Sequence, residues 1–380
     1  MPTFAMTLFA ALVVGLTLGG EAHATAPLPP PPTLPAKSYV LLDGYSGRLL
    51  AGLHDTEPVE PASLTKLLTA YVVFHALAEG KLKLADEVPI SQHAWKAEGS
   101  RTFVQVGTRV RVELLIQGMI VQSGNDATIA LAEAVAGSED TFAVLMNQYA
   151  ERLGLKDSHF TNSSGLPSPS HYTTARDIAI LCAALVREFP QYYKWYAQRS
   201  FTYNNITQEN RNGLLERDST VDGIKTGHTE AAGYCLASSA LRNGMRLVAV
   251  VMGAASPKAR EDASAALLGY GFNFFETRRL YRAGQALGAA QVYKSGDPAQ
   301  LVLHADVYAT AVRGELNNVK AQLLLTPRLV APIATSQSLG QLRLLLAEQL
   351  LVAAPVYPAA AVEPGNFVRR LIDSVRLWFA

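Results

Sequence analysis

Ser63 and Lys66 stand three residues apart in the apolar stretch PASLTKLLTAYVVF, Pro61 to Phe74. On a helix that spacing puts both side chains on one face, within reach of each other. A serine hydroxyl is a weak nucleophile and needs a base beside it, and a lysine serves as that base only after losing its proton. Burial among Leu67, Leu68 and Tyr71 disfavours the ammonium, and a second cation nearby would depress its pKa further. The apolar stretch is then what makes Lys66 useful to Ser63. Taken alone, the pair also reads as a lysine whose stem is buried and whose head snorkels to water near a helix end.

Two further groups change that balance. Ser123-Gly-Asn125 lies in a break between two apolar helical stretches, so its polar side chains need not belong to a packed face. Lys225-Thr-Gly-His228 follows Val-Asp-Gly-Ile, where a strand pattern begins. Singly, the first is a helix-capping turn and the second a strand edge. Together with Ser63 and Lys66, in one exported chain, they read as one site.

The elements that must position them are legible from periodicity. Pro61 opens the first helix, where a missing N–H costs nothing. SYVLLDGYSGRLLAGL before it is a hairpin signature, and residues 112–186 are mainly helical in spacing. Two strands return in GYCLASSALRNGMRLVAVVMG around Asn243-Gly244, a strong hairpin signal. Hairpin, helices and hairpin imply an α+β fold: an antiparallel sheet covered by helices. After Phe275 the texture alternates apolar and polar residues with turn breaks, as in a small all-β domain.

Length and composition set the frame. A chain of 380 residues exceeds one ordinary core, and its 49% apolar and 17% charged residues are those of a globular protein. With 33 basic against 32 acidic side chains and no basic run interleaved with aromatics, nucleic-acid binding is disfavoured. The eight histidines show neither H-E-x-x-H nor His-x-His spacing, which disfavours metal hydrolysis. Residues 1–24 read as a signal peptide, with an uncharged apolar segment and Ala22-His23-Ala24 as a cleavage pattern. A retained membrane anchor is the alternative. Residues 25–37 form a Pro-rich spacer. Cys182 and Cys235 are read as separate buried thiols or as a pair.

The combination Ser63-x-x-Lys66, Ser123-x-Asn125 and Lys225-Thr226-Gly227 resembles the penicillin-recognising serine enzymes. The likeness is to the low-molecular-mass penicillin-binding proteins that are D-alanyl-D-alanine carboxypeptidases, and DGIKTGHTEAAGY, RNGLL, RLVAVVMGAASPKAR and GFNFFET extend it over most of the chain. It implies a β-lactamase/transpeptidase-like fold with a peptidase domain at 38–282, a β-rich domain at 283–356, a linker at 357–365 and a membrane-anchoring helix at 366–380. It also implies roles. Ser63 is the acylated nucleophile, Lys66 its base, and Ser123 a proton relay to the leaving amine. Asn125 holds the substrate amide, Lys225 adds positive charge and helps keep Lys66 neutral, and Thr226 and Gly227 lie along the substrate. Backbone N–H groups of Ser63 and His228 form the oxyanion hole. Arg260 matches the arginine near the substrate's terminal carboxylate, the group that marks a chain end. No cofactor or metal is implied.

The expected partners are the peptidoglycan stem peptide, β-lactams and a membrane surface. The expected location is periplasmic, on the outer face of the inner membrane. A β-lactamase shares the three motifs, but its Glu-x-x-x-Asn is absent from the loop after the helices, and residues 162–175 contain no Asp or Glu. In that loop His171 is expected to be a solvated surface residue. A catalytically idle wall-binding scaffold is the non-enzyme alternative, which intact Ser63, Lys66 and Lys225 oppose. In the tail, Phe367, Val368, Leu371, Ile372, Val375, Trp378 and Phe379 fall on one side of a helical wheel. Arg369, Arg370, Asp373 and Arg376 fall on the other, with Leu377 a misfit. Such a helix is roughly 22 Å long, too short to span a core of ~30 Å but suited to the interface.

Overall fold

The computed structural model describes residues 28–379. The signal segment and its cleavage pattern therefore lie outside the described residues. At the centre is a five-stranded antiparallel sheet in the order Leu49–Leu53, Ser38–Asp43, Met245–Ala254, Gly233–Arg242, Val221–Thr229. Asn243 and Gly244 both take positive φ, 49° and 79°, so the expected tight hairpin joins two central strands and pairs Arg242 with Met245. Successive side chains of a strand point to opposite faces, and both faces here are covered. Val40, Leu42, Val248 and Val250 enter a large core of helices, whereas Leu41, Leu247, Ala249 and Val251 pack under helix Pro257–Phe274.

Helix Lys66–Ala78 runs through the larger core and is buried nearly all round, from Leu67 to Phe74. Helices Asn125–Ala136, Glu139–Leu153 and Ala175–Glu188 surround it. The Pro-rich stretch from residue 28 does not stand off the domain. The Tyr270 hydroxyl donates to the Pro29 carbonyl at 3.0 Å, and Leu34 and Ala36 pack on the smaller core. Cys182 and Cys235 are both buried free thiols.

After helix Pro257–Phe274 the chain enters a β-rich unit with its own core. Strand Phe275–Tyr281 pairs with Val307–Val312, beside a second five-stranded antiparallel sheet. The two units meet where the Thr277 hydroxyl donates to Asp43 at 2.6 Å and Tyr45 stacks on Tyr308. Helix Phe367–Phe379 closes the described chain, its apolar residues exposed. Asp373, placed by the wheel on the solvent side, is instead buried: the Lys294 backbone N–H donates to it at 2.8 Å, and Arg369 pairs with it at 3.2 Å. The half-buried Leu377 is no misfit in this setting. Among the described residues no helix is long and apolar enough to cross a membrane.

Candidate active site

Ser63 does not sit in the α-helix itself but on a 3-10 turn, Ala62–Thr65, that runs into it. The turn is forced tight: Ala62 takes a left-handed φ of 47°, which disfavours any residue with a Cβ. Two glycines permit the neighbours to close on it. A Cβ on Gly165, whose φ is +84°, would stand 1.8 Å from the Ala62 carbonyl oxygen. One on Gly227 would stand 3.2 Å from the Ser63 nitrogen, the Pro61 oxygen and the Ala62 Cβ. The 221–229 strand thus lies directly against the Ser63 turn, bringing Thr226, Gly227 and His228 to one wall of a cleft of about 590 Å³.

Lys66 is 1% exposed, and its Nζ has three neighbours: Ser63 Oγ at 3.0 Å, Asn125 Oδ1 at 2.6 Å and the Ser164 carbonyl at 2.6 Å. The last two are acceptors only. A neutral amine has two N–H groups and one lone pair, so donating to both acceptors leaves the lone pair facing the Ser63 hydroxyl. That is the arrangement of a general base. Burial is the main cause that lowers the Lys66 pKa to about 7; Glu139 and Asp126 oppose it and Arg211 assists. The Lys225 ammonium, also buried, is pushed well below its usual range by desolvation and then by Lys66, Arg211 and Arg260. Two buried cations in one site disfavour each other's charge, so each favours a neutral partner.

The remaining expected residues converge on the same cleft. Ser123 terminates a short π-helical turn with a φ of 67°; its Oγ is buried and has no hydrogen-bond partner. Asn125 opens its helix, and both ends of its amide are engaged, Oδ1 by Lys66 and Nδ2 by the Glu98 carbonyl at 2.5 Å. Asp126 beside it accepts from the backbone of Thr102, Phe103 and Val104, fixing the segment that carries Gly99 and Ser100 to the cleft rim. His228 stacks on Tyr234 with centroids 4.0 Å apart. Arg260 is 5% exposed, donates weakly to three carbonyls and keeps a buried Nε without a partner.

Three contributors were not read from the sequence. Arg211 lines the cleft, and it stands in the quoted RNGLL, where an arginine before a turn offered a signal. The Ser164 carbonyl is a backbone group and leaves no signature. The third is a correction: His171 is not a solvated loop residue but buried at 3%. Its Nδ1 accepts from the Thr161 N–H at 3.0 Å, which leaves Nε2–H to donate to Thr65 Oγ1 at 2.8 Å, within the Ser63 turn. Desolvation lowers its pKa to about 4, so it is a neutral pin. No Asp or Glu lines the cleft among the described residues. Asp177, the first acid after the loop, is buried in the N-terminal turn of its helix and accepts from Asp157 N–H and Ser158.

A family model described as D-alanyl-D-alanine carboxypeptidase matches residues 23–256, and one described as penicillin-binding protein 5, C-terminal domain, matches residues 275–364. The chain is 40% identical over 361 residues to D-alanyl-D-alanine carboxypeptidase DacA of Escherichia coli (strain K12), covering 93% of this chain and 90% of that one. Among solved structures it resembles penicillin binding protein 5 from Haemophilus influenzae, with a TM-score of 0.80, 40% identity and coverage of 88% and 99%. It also resembles penicillin-binding protein D2 from Listeria monocytogenes in its ampicillin-bound form, with a TM-score of 0.59, 26% identity and coverage of 64% and 100%.

Proposed function

The chain belongs to the D-alanyl-D-alanine carboxypeptidase family, and from that membership we propose how its own residues carry the reaction. It is a serine-type carboxypeptidase that removes the terminal D-Ala from peptidoglycan stem peptides and binds β-lactams. The observation that carries the proposed assignment is Lys66 Nζ, buried between two acceptors with its third direction toward Ser63 Oγ.

In the proposed sequence Lys66 takes the Ser63 proton as Oγ attacks the carbonyl carbon of the penultimate D-Ala. The backbone N–H groups of Ser63 and His228 stabilise the oxyanion, and Arg260, with Arg211, draws the terminal carboxylate. The C–N bond then breaks, and the proton on Lys66 passes through Ser123 to the departing D-Ala nitrogen. An unpartnered Oγ at the cleft wall suits that relay. Water attacks the ester next, gives its proton to Lys66, and the shortened peptide leaves as Ser63 recovers its hydrogen. Asn125 orients Lys66 here as well as holding the substrate amide. Thr226 and Gly227 complete the wall along which the peptide lies, with Lys225 buried beside them.

The chain is exported, with residues 1–24 as its signal, and the peptidase gives way to the β-rich domain at strand Phe275–Tyr281, ahead of the expected boundary at 283, with Val362 still in the β-rich core. The helix Phe367–Phe379 lies in the outer face of the inner membrane, since Phe367, Trp378 and Phe379 are 74%, 90% and 87% exposed and nothing among the described residues covers them. Release of D-Ala from a pentapeptide, with labelling by a fluorescent penicillin, tests the assignment. The Ser63→Ala protein should neither release D-Ala nor label. Labelling of that variant at another serine would refute it.

A further inference from the structure

A second concave surface lies at the junction of the two units. Its deeper part, about 710 Å³, is walled by Tyr45, Tyr193 and Tyr308. A continuation of about 300 Å³ shares Tyr45, Asp306 and Tyr308 with it and reaches His304 and Tyr357. The groove is thus lined by aromatic rings in succession. Tyr45 stacks on Tyr308 with centroids 4.8 Å apart, and His304 on Tyr357 at 3.9 Å and nearly parallel. Each pair buries one ring face against its neighbour and leaves Tyr45 and His304 exposed. The rings are rigidly held: Tyr45 rides a hairpin turn whose N–H groups donate to Asp43, and Tyr193 donates to Asp222 at 3.1 Å, which Arg246 grips through two nitrogens.

Polar groups stand at the edges of these rings. Asp306 is fixed by Arg279 and the Ala283 N–H, and Lys194, an exposed residue, lines the same groove. Flat aromatic faces flanked by a carboxylate and an ammonium complement a chain of sugar rings. The C–H face of each sugar lies on an aromatic ring, and its rim hydroxyls give and accept hydrogen bonds. An apolar helix or acyl chain in the groove would bury the Lys194 ammonium without a partner.

We propose that this groove binds the glycan strand of peptidoglycan, the polymer to which the trimmed stem peptides are attached. The proposal rests on the carboxypeptidase reading. Asp222 in the groove and Thr226 in the cleft belong to the same strand, four residues or ~13 Å apart along it. Both sites are therefore held by one rigid element. Holding the polymer raises the local concentration of stems at the cleft, a gain that a free peptide cannot share.

The test uses the full chain and two kinds of substrate. Chitotetraose, a short β-1,4-linked sugar chain, should bind the wild-type protein saturably in a calorimetric titration. Tyr45→Ala should weaken that binding by about tenfold, and Tyr45→Phe should keep it within about threefold. D-Ala release from a soluble pentapeptide should be unchanged in Tyr45→Ala, while release from intact sacculi falls. Absence of saturable chitotetraose binding to the wild type, or equal activity of Tyr45→Ala and wild type on sacculi, would overturn the proposal. So would an equal loss on both substrates. A wild-type protein inert on the pentapeptide would instead overturn the carboxypeptidase reading.

Discussion

Acylation by a β-lactam should follow the neutral fraction of Lys66, and the charges around it should move that dependence in opposite directions. With its pKa at about 7, Lys66 is about one-tenth neutral at pH 6, half at pH 7 and nine-tenths at pH 8. A lysine left at its ordinary 10.5 would be neutral in only about 3 molecules per 10,000 at pH 7. Burial thus raises the base form at neutral pH by about 1,500-fold, equivalent to about 4 kcal/mol. The second-order acylation rate, followed by intact-protein mass spectrometry from pH 5.5 to 9, should rise about tenfold per unit below pH 7 and level above it. Glu139→Gln keeps the acceptor for the Ser163 N–H and hydroxyl but removes the charge that most favours the ammonium. Its midpoint should fall, speeding acylation at pH 6. Arg211→Gln removes a cation that disfavours the ammonium, so its midpoint should rise, slowing acylation at pH 6 more than at pH 9. A rate flat from pH 6 to 9, or midpoints displaced in the same direction, would refute Lys66 as the base.

The buried His171 makes stability fall with acid: its folded pKa of about 4 lies below the ordinary 6.5, so the unfolded chain binds the extra proton between those values. About 3 kcal/mol should be lost from pH 6.5 to pH 4, and His171→Gln should flatten that part of the curve in urea titrations. Gly227→Ala should cut acylation severely while costing about 1–3 kcal/mol of stability, because its Cβ would push the strand off the Ser63 turn; unchanged labelling would contradict the packing. Because no carboxylate among the described residues lines the cleft, the penicillin adduct should persist for minutes or longer, and catalytic hydrolysis of the antibiotic would favour a β-lactamase instead. Deleting residues 366–380 should free the protein from vesicles of anionic lipid without altering activity on a soluble peptide, and continued co-sedimentation would refute the interfacial helix.

The sequence by itself determined whatever depends on near neighbours. A spacing of three from Ser63 to Lys66 brings hydroxyl and amine together because backbone geometry dictates it, even with the serine on a 3-10 turn. Two positive-φ residues at Asn243-Gly244 make a hairpin, and period-two alternation sorts Val40 and Leu42 from Tyr39 and Leu41. The apolar stripe of the last helix needs only a wheel. What the tertiary structure decided is how each charge is solvated. Lys66 becomes a base at neutral pH because Asn125 and Ser164, 59 and 98 residues away, close over it. His171 is neutral because the loop folds it onto Thr65 across 106 residues, and Asp373 turns inward because Lys294 offers a backbone N–H. Spacing encodes local contact, but desolvation depends on distant chain segments that no local pattern specifies.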